Sequence, residues 1–408
     1  MKTTCLIPLL LSLAVTVTGG GVPAGKPEDV GMSSERLERI HAAIQRHIDA
    51  GEISGAVTLV ARRGRVVHFE AHGLMDIESK RPMEKDAIFR IASMSKPIIG
   101  VAVMMMLEEG KLRLSDPVSK FLPEFKDAKV AVPRANSTDF YVVPADRDLT
   151  IRDLLTHTNG LMTGGPGSKA GPPRPVNGDT LASYVPRLAA VPLDFQPGSQ
   201  WAYSGLAGPD VLSRIVEIVS GEPYDLFLRT RVFEPLGMKD TFFYPPDDRR
   251  PRMATLYRKS PSGLQRAENQ DGFSLKTYFS GAGGLMSTAE DYLQFAQMLL
   301  NGGVLNGKRL LSPRTVELMA SNHVGDMFNG KLGRPAHGMG YGLLVGIVED
   351  AVAAGLRVSN GSFGWDGAYG TQTWIDPKEK MVTMVMIQTQ VTPVQRDFEN
   401  AVMQAIVE

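Results

Sequence analysis

The two ends of this chain read alike, and that likeness limits the fold more than any other feature. Near the start, residues 33–50 place Leu37, Ile40, Ile44 and Ile48 on one helical face. Two β-branched runs follow at 55–61 and 65–71, and the Arg63-Gly64 pair between them predicts a hairpin turn. Near the end, strand-like runs occupy 341–348, 353–358, 371–375 and 381–387. A last helix is predicted over 394–407, with Phe398, Ala401, Val402, Ala405 and Ile406 at helical spacing. Each end thus supplies strands and a helix to cover them.

The middle is different. Residues 97–109 form a nearly all-apolar helix that ends at Gly110, the pattern of an element buried on most sides. Ser287-Thr288-Ala289-Glu290 reads as a capping box opening a helix to Leu300, and the glycine- and proline-rich stretch 164–178 as a mobile surface loop. With no repeat and no linker composition, the economical architecture is an α+β fold. An antiparallel sheet built from the N- and C-terminal segments is flanked by helices, and a large, mainly helical lobe is inserted. The expected division is a sheet lobe of 25–92 plus 320–408 and a helical lobe of 93–319, together forming one domain over 25–408.

Composition excludes several roles. Lys plus Arg and Asp plus Glu each number 44, so no global charge draws the chain to nucleic acid or an anionic membrane. Lys2, the apolar run 6–17 and the small residues after it resemble a secretory signal peptide, assigned to 1–24. Cleavage is expected between Thr18 and Ala24. The expectation is an exported protein, periplasmic or secreted, with no stable membrane anchor once that segment is removed. The only cysteine, Cys5, lies inside it, so the mature chain would have no disulfide and no thiolate chemistry.

The chemistry concentrates at Phe89-Arg90-Ile91-Ala92-Ser93-Met94-Ser95-Lys96-Pro97. A serine hydroxyl needs a proton acceptor within hydrogen-bond reach to act as a nucleophile. Positions i and i+3 share a helix face, so Lys96 falls beside Ser93. Pro97 is tolerated only near a helix start, which puts Ser93 at or just before the N-terminus, where the dipole favours developing negative charge. Taken alone, S-x-x-K is a weak signal. Tyr203, in Trp201-Ala202-Tyr203-Ser204-Gly205, follows the turn Gln196-Pro197-Gly198 and precedes a helix at 210–219. The segment Gly364-Trp365-Asp366-Gly367-Ala368-Tyr369-Gly370 carries glycines that permit close backbone approach to a ligand.

With these elements in order, together with Leu154-Leu155-Thr156-His157-Thr158-Asn159-Gly160-Leu161 and Gly283-Gly284-Leu285, the sequence resembles the serine β-lactamase and penicillin-binding-protein superfamily. Within it, the sequence is most similar to class C β-lactamases and family VIII carboxylesterases, over nearly the whole mature chain. The resemblance implies a β-lactamase/transpeptidase-like fold and an acyl-enzyme mechanism. Ser93 would be the nucleophile, Lys96 and Tyr203 would share the proton transfers, and the backbone N–H groups of Ser93 and Ala368 would form the oxyanion hole. If Lys96 is the base, its pKa must fall through burial or a nearby cation. Alternatively Tyr203 is the base, held ionised by Lys96.

One departure bears on substrate. Where class C enzymes carry K-T-G, this chain has Trp365-Asp366-Gly367, so an aromatic wall and a possible negative charge replace a carboxylate-binding lysine. Trp365, Asp366 and Gly367 are therefore expected at the substrate, and W-x-G is the family VIII form. Lys276-Thr277-Tyr278 lacks the glycine and is a decoy. The expected activity is a carboxylesterase on small or medium uncharged esters. The alternatives are a β-lactamase or D-amino-acid peptidase, an acyltransferase, or a non-catalytic binding protein on the same fold. His157 reads as structural, the histidines show no H-E-x-x-H spacing, no G-x-S-x-G elbow is present, and neither a metal nor a cofactor is expected. A small-molecule ester or amide is the only partner implied.

Overall fold

The Arg63-Gly64 turn closes a hairpin, with both residues at positive φ. Its arms are β1 (Gly55–Arg62) and β2 (Arg65–Asp76). This is a computed structural model, which describes residues 21–137, 139–271, 275–389 and 392–408. The signal-peptide segment up to residue 20 lies outside the described residues, Cys5 included. Among the described residues no helix is long and apolar enough to cross a membrane.

Six further strands join the hairpin: β3 (Arg81–Pro82), β4 (Met339–Tyr341), β5 (Gly346–Val348), β6 (Phe363–Asp366), β7 (Gln372–Asp376) and β8 (Met381–Met386). They form one antiparallel sheet in the order β4-β5-β6-β7-β8-β1-β2-β3. The two chain ends meet where Val57 to Arg62 pair with Met386 to Met381. Side chains alternate across a strand. Accordingly Val57, Leu59 and Ala61 enter one apolar core, while Ala56 and Val60 enter the other. β1 is buried at every position, as a strand covered on both faces must be.

The second core is closed by α1 (Ser34–Asp49) and the C-terminal helix Thr392–Met403, whose Val394, Phe398 and Val402 are buried against it. The first is closed by the inserted region, through α2 (Ser95–Glu108), α3 (Ile151–Thr156), α4 (Ala207–Ser220) and α5 (Ala289–Leu300), and the C-terminal helix is accordingly α6. α2 is buried from Ser95 through Met106, in keeping with its apolar sequence.

Arg62, 1 % exposed, ties the two ends together. Its guanidinium donates to the carbonyls of Val30 at 2.7 Å, Gly31 at 2.8 Å and Glu408 at 2.8 Å, and pairs with the Glu379 carboxylate at 2.5 Å. With Nε also donating to the Glu379 main-chain oxygen at 3.4 Å, the buried charge is met by an anion and by four main-chain oxygens, which is what its desolvation demands.

Several elements differ from expectation. The run 341–348 is not one strand but the facing arms β4 and β5. Gly342 N–H bonds the Val345 carbonyl at 2.8 Å and Leu344 turns at φ 64°, a reversal hidden inside a continuous apolar stretch. Residues 353–358 are not a strand. Asp350 caps a short helix, Ala351–Ala354, by accepting from the N–H groups of Val352 and Ala353, and Gly355 ends it in the left-handed conformation. β6 is an addition to the expected strands, since Gly364 within it lowers strand propensity. The α5 cap is Thr288, which accepts from Asp291 N–H, one residue later than the capping-box reading. The inserted region also holds the hairpins Lys129–Pro133/Phe140–Pro144 and Tyr257–Ser260/Gly263–Arg266. The stretch 164–178 is anchored: the Asp194 carboxylate accepts from Thr163, Gly165 and Ser168.

Candidate active site

Ser93 sits in a 3₁₀ turn, Ala92–Met94, that runs directly into α2. Ala92 before it has φ 44°, a left-handed conformation that costs a residue with a Cβ about 1–3 kcal/mol and persists only where surrounding contacts enforce it. Those contacts are present. Ile91 N–H bonds the Leu285 carbonyl at 3.1 Å, Tyr292 Oη donates to the Met94 carbonyl at 2.8 Å, and Leu285 N–H donates to Ser95 Oγ at 3.3 Å. The Gly283-Gly284-Leu285 motif therefore acts as a backbone brace behind the serine turn.

At the second residue of the helix, Lys96 is fully buried, and its Nζ donates to Ser93 Oγ at 3.1 Å and to the Ala282 carbonyl at 2.6 Å. Behind Ala282 lies Asp210 of α4, a residue sequence reasoning passed over. Its carboxylate accepts from Tyr278 Oη at 2.8 Å, Ser280 Oγ at 2.7 Å and Ala282 N–H at 3.3 Å. Burial raises the Asp210 pKa to about 6, against those three donors and the attraction of Lys96, all of which pull it down. The nearest charge in this chain of contacts is thus the Asp210 carboxylate, one residue's backbone away from Lys96. The one hint of Asp210 in the sequence is its place as the only acid among the residues that α4 buries, a hint that names no partner.

Tyr203 approaches from the other side. Its ring centroid lies 5.0 Å from Lys96 Nζ, and its hydroxyl accepts from Trp365 Nε1 at 3.3 Å. The Leu154–Leu161 motif is the seat of this loop. α3 ends at His157 in the left-handed conformation, His157 O accepts from Ala202 N–H at 3.1 Å, and Ser204 Oγ donates to Leu161 O at 2.5 Å. The His157 ring packs 4.7 Å from Tyr203 and 5.7 Å from Trp201, and burial drives its pKa well below the usual imidazole range. A neutral ring held among aromatics fits its structural reading.

β6 delivers the remaining residues. Trp365 meets Tyr203, Tyr341 and Phe328, forming an apolar wall. Gly367 N–H bonds Thr371 O at 2.7 Å, and Thr371 Oγ1 donates to Ile91 O at 3.3 Å, so the turn carrying exposed Ala368 is tied to the residue two before Ser93. Asp366 behaves differently. Alternation along β6 directs it away from Trp365, to an ion pair with Arg334 and a 3.0 Å bond from Gln372 Nε2. The negative charge expected beside the substrate is neutralised by a cation 32 positions earlier that no motif announced. Ser93, Lys96, Tyr203, Trp365 and Gly367 are gathered in one region, and Asp366 supports its edge.

The sequence profile of the β-lactamase family matches residues 40–408. The chain belongs to the β-lactamase family. Protein Rv1367c of Mycobacterium tuberculosis is 37% identical over 364 residues, covering 86% of this chain and 90% of that protein. Esterase EstB of Burkholderia gladioli is 30% identical over 381 residues, with the same coverages of 86% and 90%. Among solved structures, EstCE1, described as a hydrolase with promiscuous acyltransferase activity, superposes with a TM-score of 0.76 at 31% identity, covering 90% of this chain and 99% of EstCE1. The LovD6 mutant of simvastatin synthase from Aspergillus terreus shares the fold, with a TM-score of 0.76 at 22% identity over 92% of this chain and 98% of its own. This β-lactamase-family member is a serine hydrolase, on the sheet-and-inserted-helices architecture that the resemblance implied.

Proposed function

We propose that this serine hydrolase is a carboxylesterase acting on small or medium uncharged esters through an acyl-enzyme on Ser93. The observation that carries the reading is the 3.1 Å contact between Lys96 Nζ and Ser93 Oγ at the start of a buried helix. Ser93 Oγ attacks the ester carbonyl carbon and its proton passes to Tyr203, whose phenolate is stabilised by Lys96 and by the Trp365 N–H. Tyr203 as base is favoured because Lys96 already donates to the Ala282 carbonyl and faces an anionic neighbour in Asp210. The backbone N–H groups of Ser93 and Ala368 receive the oxyanion, each such donor contributing about 10²–10³-fold in rate. The protonated tyrosine then hands its proton to the leaving alkoxide, and water repeats the sequence to release the acid.

Substrate class rests on the aromatic wall of Trp365, Tyr341 and Phe328; Arg334, which stacks on the Trp365 ring, is already paired with the Asp366 carboxylate. The esterase named among the relatives agrees with it. Transfer of the acyl group to an alcohol instead of water is a second reading, favoured by the acyltransferase activity described for EstCE1. Export, through removal of a segment within 1–24, is part of the same proposal and is checked by N-terminal sequencing of the secreted product.

Initial rates on p-nitrophenyl acetate, butyrate and octanoate, beside a chromogenic cephalosporin, test the reading. Ester turnover should exceed cephalosporin cleavage and fall by at least about 10³-fold in Ser93→Ala. Near-normal turnover in that variant would overturn the mechanism, and dominant cephalosporin cleavage would overturn the substrate class. Added alcohol, with product analysis, separates transfer from hydrolysis.

A further inference from the structure

On the face of the sheet that α1 covers, remote from the serine turn, three side chains from two elements converge. His68, Glu70 and His72 stand at alternate positions on β2 and so share one face. His41 reaches them from α1. Its Nδ1 lies 2.6 Å from Glu70 Oε1, and His72 Nδ1 lies 3.7 Å from the same oxygen. One ligand-type atom from each of His41, Glu70 and His72 falls within 4.8 Å of the others.

His72 distinguishes this cluster from an ordinary surface ion pair. It is 2 % exposed, and its Nδ1 has no hydrogen-bond partner, so a buried ring nitrogen faces the carboxylate unsatisfied. Such a group costs about 1–3 kcal/mol unless something meets it. Its other nitrogen, Nε2, is held 2.8 Å from Thr58 Oγ1, and the same hydroxyl is 2.7 Å from His68 Nε2. Thr58 sits directly across from Glu70 in the β1–β2 register. A ring nitrogen fixed on its far side by a hydrogen bond is the usual arrangement around a metal-binding imidazole, since the outer bond orients the ring.

We propose that His41, Glu70 and His72 bind a divalent cation of the zinc class. Two imidazoles and one carboxylate supply the nitrogen and oxygen donors that such an ion takes at about 2.0–2.2 Å. A tetrahedral arrangement at those bond lengths separates donors by roughly 3.3–3.6 Å. The His72–Glu70 spacing of 3.7 Å lies just above this range, and His41 has to withdraw from Glu70 by under about 1 Å, which its exposed position allows. The half-open side at His41 gives the ion its entry path and its fourth, solvent ligand. The bound ion would join α1 to β2 and act on stability, not on the acyl-transfer chemistry.

The sequence concealed the site because the two β2 ligands are two residues apart, a strand spacing, while the third comes from a helix about thirty residues earlier. The test uses the whole protein stripped with a chelator. ZnCl₂ should bind saturably at one equivalent by calorimetry and raise the melting temperature, and CoCl₂ should develop visible d–d absorption. His41→Ala, at an exposed position, and the near-isosteric Glu70→Gln should each weaken binding by at least about 10-fold, with ester hydrolysis retained as the sign of an intact fold. Absence of saturable uptake, or uptake unchanged in both variants, would overturn the assignment.

Discussion

Trp365 Nε1 donates to Tyr203 Oη at 3.3 Å, joining the sheet to the loop that carries the tyrosine. Where class C β-lactamases have a lysine, this chain supplies a neutral donor with an apolar body. A hydrogen bond to a charged group is worth about 1.5–3 kcal/mol. Trp365→Phe keeps much of the wall and removes the donor, so kcat for p-nitrophenyl acetate should fall about 10- to 100-fold with a smaller change in KM. An unaltered kcat would remove this bond from the mechanism.

Gly367 is required by close approach, not by its dihedral angles. A Cβ there would lie 2.4 Å from the Ile91 carbonyl oxygen and 2.1 Å from Thr371 Oγ1, both in the contact that holds the Ala368 turn to the serine turn. Gly367→Ala must push the two apart, and displacement of catalytic groups by about 1 Å costs on the order of 10² in rate. The circular dichroism spectrum should be unchanged while kcat/KM drops. A variant with full activity would show that the turn does not position the oxyanion donors.

How much of this was legible beforehand varies by residue for physical reasons. β1, β2, α1 and α2 were readable because their periodicity or uniform apolarity extends over eight residues or more. The β4–β5 reversal was not, since Gly342 to Val345 turn inside an unbroken apolar run whose polar backbone groups are satisfied by neighbours such as the Leu155 carbonyl. Ser93 and Lys96 were found together because one helix face carries both. Asp210 and Arg334 were missed because their partners, Ala282 and Asp366, are brought to them by tertiary folding alone, and no spacing records that.

Arg62 offers a test of how the chain ends are fastened. Removing one member of a buried ion pair typically costs about 3–5 kcal/mol, and here four main-chain oxygens also lose their donor. Arg62→Ala should lower the urea midpoint by a corresponding amount, while Glu379→Gln, whose side chain is partly exposed, should cost less. Equal losses would place the stabilisation in the ion pair and not in the carbonyl clamp.

Asp210 sets opposite demands on stability and activity. Burial lifts its pKa from 3.8 in the unfolded chain to about 6 in the folded protein, so across that interval the folded state binds the proton more tightly. Its contribution is favourable below about pH 4 and is lost as the pH rises through about 6, leaving an ionised group that costs on the order of 3 kcal/mol. Asp153 and Asp76, whose pKa values are lowered, slope the other way, so the quantity to measure is a difference between proteins. Relative to wild type, Asp210→Asn should gain up to about 3 kcal/mol in urea unfolding between about pH 4 and about pH 7. The same variant loses the anion that faces Lys96 across Ala282, so kcat should fall even as the protein becomes harder to unfold near neutral pH. A stability difference that does not change with pH would mean that Asp210 keeps one protonation state throughout, and a kcat equal to wild type would separate it from the chemistry at Ser93.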